Sequence, residues 1–454
     1  MTLKNKMAIL AAGLLSFVGI LVETSMNVTF PTLIANLHVS LATVQWLTTA
    51  YLLVVTIVMS TTAYVLKRFS FRNLFFFAAI ASIVSGVIAM TATNFNVLLT
   101  GRLLQAVATG ISTPLMFQLI FTRVPRERIG LYTGFASIII SLAPALGPTY
   151  GGILTSLWSW RAIFVGILPL LALITGLGAY SVHGDALGTG GKRFDFVGLF
   201  LLATTFTSAV LAFNDAGTNG WLNGRFATGI IVTLGLAFLM AHHAKMGINK
   251  LFDYTILRNH ILRQRLFQYF GLQFINIGLS FVLPLFVQNV LGAYPMAAGL
   301  MLLPGALLGA MTAPIAGKIY DQHGPNQLLV FSAGMVTLAL LLFALTTHQF
   351  SLAIIASIYA LLRIGFNAGF GTSVSDASIQ VEKHQKSDQN ALFSMMQQFA
   401  GSIGTSVMSA IIAARTLSQP TIPATVTGSL VDFVLLLVLA LTILLSAILL
   451  CRRG

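Results

Sequence analysis

The chain has 454 residues, 57% of them apolar and only 8% charged. A soluble domain carries roughly 25% charged residues to cover its surface, so this composition excludes a water-facing globular fold and makes lipid the solvent. The single cysteine, Cys451, excludes a disulfide framework and a cysteine metal site.

The first apolar run starts at Met7, after Lys4 and Lys6, and reaches Pro31. It is longer than the core of a cleaved signal peptide and has no small-residue cleavage site, so it reads as a retained span. Roughly 20 apolar residues cross the hydrocarbon as a helix. That rule predicts fourteen spans: 7–30, 41–66, 72–92, 97–122, 130–154, 161–182, 194–213, 226–244, 266–290, 295–317, 327–346, 350–374, 389–413 and 427–451. An even number puts both termini on one side.

The charges follow this division. With cytoplasmic termini, the inner segments hold twenty of the 25 basic residues, among them Arg126, Arg128, Lys192, Arg193, Lys383, Arg452 and Arg453. The outer segments hold Arg161, Arg225 and Arg415, while Arg102 and Arg363 fall inside spans. This is the positive-inside bias. The net charge of +14 therefore reports topology and contact with anionic lipid, and no nucleic-acid partner is expected.

An internal repeat shows faintly. Pro31 and Pro284 are each followed fifteen residues later, by Trp46 and Gly299, at a long span. Gly101-Arg102 in span 4 has a counterpart in Arg363-Ile364-Gly365 of span 12, and the mate of Glu23 is Asn276. The expected architecture is an all-α membrane protein of fourteen helices. Residues 1–185 form an N-terminal six-helix bundle, 186–250 two inserted linker helices with their loops, and 251–454 a C-terminal six-helix bundle. Such repeats place a substrate site between the halves near mid-membrane.

Three segments carry candidate chemistry. Glu23 sits inside span 1, where a carboxylate costs about 2.5–3.5 kcal/mol even on the insertion scale. Its position suits proton binding in a wet cavity; the structural alternative is a hydrogen bond to a neighbouring helix. Arg102 lies roughly 8 Å deep in span 4 and Glu23 roughly 10 Å deep in span 1, which runs the opposite way, so the two can share a cavity. The alternative for Arg102 is snorkelling to the headgroups. In span 5, Pro144 and Pro148 each remove a helix hydrogen bond, while Gly147, Gly151 and Gly152 permit close approach and bending. That segment is either a tight packing face or a hinge of the gate. Asn27, Gln45, Tyr51, Gln105, Asn276 and Arg363 are the polar candidates for substrate contact.

NVTFPTLIANLHVSLATVQWLTTAYLL (27–53) resembles the start of the fourteen-span drug:proton antiporters of the major facilitator superfamily. That family carries an Asp nine residues before the proline of an ALP-like turn; here Glu23 stands eight before Pro31, and Val22 occupies the usual place. GRLLQAVATG (101–110) is similar to the family's span 4 motif, which implies a proton-relay role for Arg102. ALGPTYGG (145–152) is similar to its antiporter motif, which implies export. SLWSWRAIFVGILPL, KRFDFVGLFLL and SMMQQFAGSIGTSVM resemble further family segments. The loop after span 2 departs from the pattern, with Ala63, Lys67 and Ser70 where Gly, Asp and Gly stand in the family. Its C-half counterpart keeps Gly317, Asp321 and Gly324, which implies a gate contact for Asp321.

An ATP-driven pump needs a phosphate-cradling loop; LGTGGKRF has Ala186 five before Gly191 and Arg193 in place of Ser or Thr, and so fails that pattern. A membrane enzyme needs clustered ligands or acids. His242 and His243 are adjacent near a boundary, and Asp185, Asp195, Asp215, Asp253 and Asp388 fall at span ends or in loops. Asp376 and Asp432 lie near the ends of spans 12 and 14, where they are candidates to assist coupling. The expected protein is not an enzyme and uses no cofactor or metal. It is a monomer in the cell membrane that exports small lipophilic or cationic compounds in exchange for protons. A sodium-coupled or metabolite-specific exporter of the same fold, and a passive uniporter, are the alternatives.

Overall fold

The computed structural model describes residues 2–125, 129–183, 194–246, 250–382 and 385–451. Arg126, Arg128, Asp185, Lys192, Arg193, Lys383, Arg452, Arg453 and the 186–193 glycine-rich stretch lie outside the described residues, as do the side chains of Ala63 and Lys67.

Among the described residues the chain is helical throughout, without a strand. The first group of helices is α1 (Leu3–Leu37), α2 (Leu41–Val44), α3 (Trp46–Arg68), α4 (Phe71–Met90), α5 (Phe95–Arg123), α6 (Ile129–Leu157) and α7 (Ala162–Ser181). Two more follow, α8 (Phe196–Asn219) and α9 (Gly224–Met246). The second group is α10 (His260–Asn289), α11 (Pro295–Leu300), α12 (Leu303–His323), α13 (Pro325–Thr346), α14 (Leu352–Ile379), α15 (Lys386–Thr416) and α16 (Thr421–Cys451). Twelve helical segments among the described residues are long and apolar enough to cross a membrane, with α2–α3 and α11–α12 each counted as one. The remaining long helices, α6 and α15, have 29 and 31 residues.

Local chemistry sets the ends. The side chains of Thr2, Asn94 and Ser351 accept from the backbone N–H three residues on, satisfying an otherwise orphaned donor at the starts of α1, α5 and α14. His38 ends α1 in the left-handed region, φ 52°. Proline does not end the helices as the sequence suggested for span 1: α1 continues through Pro31 to Leu37. In a packed membrane bundle, neighbouring helices satisfy the backbone groups a proline frees. The breaks come instead at Gln45 and at Met301–Leu302.

In the first group α1 packs on α5, α6 and α7, and α4 on α5 and α7. In the second, α10 packs on α14, α15 and α16, and α13 on α14 and α16. The groups meet through α1 with α10, α3 with α15, and α6 with α11 and α12. Among the described residues, the hydrogen bonds that join them lie in the half of the bundle farther from the chain termini. Gln288 Nε2 donates to the Val28 carbonyl at 2.8 Å and Ser402 Oγ to the Thr49 carbonyl at 3.0 Å. Thr149 Oγ1 donates to the Gly299 carbonyl at 3.3 Å, and the Met296 N–H to Ser156 Oγ at 2.9 Å.

Helix α8 lies against α15 and α3 and carries α9, which has no buried residue and turns apolar side chains such as Ile231, Leu234 and Phe238 outward. The pair is tied near the termini by His243 Nε2, 2.9 Å from Asp195 Oδ1; the same carboxylate caps α8 by accepting from the Gly198 N–H.

Candidate functional site

Glu23 lies in the sixth turn of α1 with its side chain turned inward, 6% exposed. Among the described residues it makes no hydrogen bond and no ion pair within 4 Å, so it lacks the anchor that a structural acid would need. Arg102 on α5 is 0% exposed, which rules out snorkelling. Its guanidinium sits 4.2 Å from the centroid of the Tyr51 ring, and Nη1 donates to Gln105 Oε1 one turn further along α5. Nε and Nη2 have no hydrogen-bond partner. The charges of Glu23 and Arg102 act on each other through space, as the shared depth of the two residues leads one to expect.

Tyr51 holds this arrangement in place. Its hydroxyl donates to Thr109 Oγ1 at 2.7 Å and lies 3.2 Å from the Gly19 carbonyl, linking α3 to α5 and α1. Gly19 matters because Thr109 occupies the space a Cβ would take. Asn27, one turn beyond Glu23, accepts from Thr48 Oγ1 at 2.9 Å.

The second group repeats the motif with different chemistry. Arg363 on α14 is 5% exposed, and its Nη1 donates to Asn276 Oδ1 of α10 at 2.5 Å. Its guanidinium lies 5.0 Å from the Phe366 ring centroid, and Nε is unpartnered.

Other predicted residues lie elsewhere. Gln45 is drawn off to α8, donating to Asn214 Oδ1 at 3.3 Å beside Trp46 Nε1 at 2.9 Å. Asp321 is exposed near the end of α12 and makes no hydrogen bond or ion pair among the described residues. The proline–glycine segment of α6 stays helical through Pro144 and Pro148. It is a close-packed seam: a Cβ on Gly147 would meet Thr24 and come 2.8 Å from the Leu21 carbonyl, while Ser25 Oγ donates to the Gly147 carbonyl at 2.9 Å. Gly151 abuts the Ser25 backbone, Gly152 the Pro295 carbonyl, and Gly299 of α11 the Pro148 carbonyl.

The bundle of long apolar helices thus encloses two buried arginines at corresponding places in its two groups. Residues 12–405 match the Major Facilitator Superfamily. The chain belongs to that superfamily. It is 31% identical to the lincomycin resistance protein LmrB of Listeria innocua, over 88% of this chain and 84% of that protein. It is 28% identical to a multidrug resistance protein B homologue of Mycobacterium tuberculosis, over 86% of this chain and 73% of that protein. Among solved structures, a bacterial homologue of the human lysosomal transporter Spinster, in an inward-facing and unoccupied conformation, aligns over 100% of this chain and 98% of its own. The TM-score is 0.71 at 14% identity, which shows a shared fold. The protein is a multi-pass membrane transporter.

Two features of this transporter were not singled out in its sequence. Arg265 of α10, one residue before the predicted span 266–290 and so at its boundary, is 3% exposed and its Nε donates to Asp376 Oδ2 of α14 at 2.6 Å. Asp376 is thus committed to an ion pair, with Gln268 and Asn326 on the same guanidinium. The second is an aromatic ladder leading from Arg363. Phe366 stacks on Phe370 with centroids 4.9 Å apart, Phe370 on Tyr269 at 4.3 Å, and the Tyr269 hydroxyl donates to Gln397 Oε1 at 2.6 Å. Positions 363, 366 and 370 share a helix face, and that spacing was the available signal.

Proposed function

We propose that this transporter is a proton-coupled antiporter that exports small lipophilic or cationic compounds across the cell membrane, with Glu23 carrying the proton. One observation carries the reading: Glu23 is buried in a membrane helix without a hydrogen-bond partner, beside an arginine that already has its own supports in Tyr51 and Gln105. An unpaired carboxylate at this depth costs several kcal/mol, and a proton removes that cost. When the cavity opens to water, the ionised form is solvated and the proton leaves. A cationic substrate competes for the same carboxylate, which makes the exchange obligatory.

Counting α6 and α15 gives fourteen crossings, with units at 1–185, 186–250 and 251–454. The distribution of the basic residues supports cytoplasmic termini. In that orientation the seam of α1, α6 and α11 closes the outer side, and Gly147, Gly151 and Gly152 let the gate close tightly. A reporter fused after Gly454 is expected on the cytoplasmic side and one inserted at 220–223 outside; both on one side would break this topology. The aromatic ladder offers flat apolar faces suited to the substrate class suggested by the names of the resistance relatives.

Purified protein in liposomes, with ethidium and lincomycin as probes, tests the mechanism. Glu23→Gln keeps the shape but mimics the protonated form. It is expected to abolish pH-gradient-driven accumulation while leaving downhill probe exchange, and Glu23→Asp to retain partial coupling. Full pH-gradient-driven accumulation by Glu23→Gln overturns the assignment of the proton to Glu23, and a wild-type protein that accumulates neither probe from a pH gradient is the result expected of a passive or sodium-coupled carrier.

A further inference from the structure

A second acid is buried more deeply than Glu23 and has no part in that mechanism. Asp432 of α16 is 0% exposed, and neither carboxylate oxygen has a hydrogen-bond partner. Ser429, on the preceding turn, is 0% exposed and its hydroxyl is likewise unpartnered. So is Ser409 of the antiparallel helix α15. The register brings Asp432 and Ser409 to one level, with Ser429 a turn away. Gly428 abuts Ile412, where an added Cβ would come 2.9 Å from the Ile412 Cα. One turn from that contact, in the same direction, stand Asp432 on α16 and Ser409 on α15.

Among the described residues no charge compensates Asp432. Helix α16 packs on α10, α13, α15 and the 347–349 turn. Helix α13 carries no titratable residue. The nearest on α10 are Tyr269 and Arg265, thirteen and seventeen residues from Val282, which stands level with Asp432 if Asn289 is set against Thr425, its hydrogen-bond partner at 3.4 Å. On α15 Arg415 is exposed at one end, with Lys386 and Asp388 at the other; the turn carries His348, which is also exposed. A bare carboxylate enclosed this way costs several kcal/mol. The charge must be removed by a proton or a bound cation. Carriers that hold Na⁺ use carbonyls of unwound helix, whereas α15 and α16 run unbroken through Ser409 and Asp432. That favours the proton.

We propose that Asp432, with the hydroxyls of Ser429 and Ser409, forms a second buried proton-binding site, housed in the C-terminal group and emptied as the two groups rock. The helices that enclose it also carry the contacts between groups. On α15, Ser402 and Ser406 engage Thr49 of α3, at 3.0 Å and 3.3 Å. On α10, Gln288 reaches Val28 of α1 while the adjacent Asn289 holds Thr425 of α16. Movement of one group against the other therefore pulls on the walls around Asp432 and admits water. The emptying step rests on the proton-antiport reading; the occupancy of the site does not.

Infrared spectroscopy of purified protein in lipid reads occupancy directly through the carbonyl stretch of a protonated carboxylic acid at neutral pH. The expected result is a band component lost in Asp432→Asn, kept in Glu23→Gln and shifted in Ser429→Ala, which alters the carboxyl's surroundings without removing it. No loss in Asp432→Asn, or a component abolished by adding Na⁺, overturns the site. Proton release per ethidium transported, measured in proteoliposomes, reads the emptying. Asp432→Asn is expected to release one proton fewer per ethidium, and Asp432→Glu to restore the wild-type ratio. An unchanged ratio in Asp432→Asn makes the acid structural only and overturns the proposal. Failure of the antiport reading appears separately, as a wild-type protein that shows no pH-gradient-driven ethidium transport while the Asp432-dependent band remains.

Discussion

The two buried arginines occupy corresponding helices and are held in different ways. Arg102 stacks on Tyr51 and bonds Gln105 of its own helix, leaving Glu23 across the gap without a bond. Arg363 reaches across to α10 and bonds Asn276, with Phe366 further off at 5.0 Å. An amide therefore suffices to hold a buried guanidinium between these helices. The N-terminal group has an acid where an amide would serve, and it leaves that acid unbonded. On the proposed mechanism the difference separates a titrating pair, at which a proton comes and goes on Glu23, from the bonded Arg363–Asn276 pair, which keeps its charge through the cycle.

The largest effect that separates them is expected from arginine-to-lysine changes. Lysine keeps the charge but loses the planar face and the fork of donors. For Arg102 the lost stack on Tyr51 is worth about 0.5–2 kcal/mol, or about 2- to 30-fold in gradient-driven ethidium transport at 1.4 kcal/mol per decade. Arg363→Lys is expected to lose less, because Phe366 is more distant and the lysine ammonium can still donate to Asn276. Equal losses, or a larger loss at Arg363, would remove the asymmetry.

Much of this was legible in the sequence. Long apolar runs separated by basic loops located the helices, because a lipid solvent leaves little choice of structure. Glu23 and Arg102 stood out because charge is rare and costly there. The pairing of Asn276 with Arg363 follows the faint repeat. Other features were hidden. The run of helix through Pro31 depends on neighbours that a single segment does not show. Gln45 reads as a cavity residue until α8 is seen to claim it through Asn214. Arg265 looked like a boundary charge because its partner, Asp376, is 111 residues away. The isolation of Asp432 is a property of the three helices around it, none of which is adjacent to it by any sequence pattern except α15.

The smallest expected effect comes from making the C-terminal site resemble the N-terminal one. Asn276→Asp puts a carboxylate where Arg363 Nη1 now lies 2.5 Å from the amide oxygen. The guanidinium is already in place, so the new group forms a charge-assisted bond, which is shorter and roughly twice as strong as a neutral one. A carboxylate held in that way has no reason to trade protons near neutrality, unlike Glu23, which has no such bond. The variant is therefore expected to transport ethidium within about threefold of wild type, equivalent to about 0.7 kcal/mol at 1.4 kcal/mol per decade. Its pH profile should gain no additional step, and the number of protons released per ethidium should stay the same. The measurement is the pH dependence of ethidium transport in liposomes, wild type against Asn276→Asp. A new titration step, or a higher proton ratio, would mean that an acid opposite either arginine becomes a coupling site. The distinction would then rest on residue type alone, and the unbonded position of Glu23 would lose its significance.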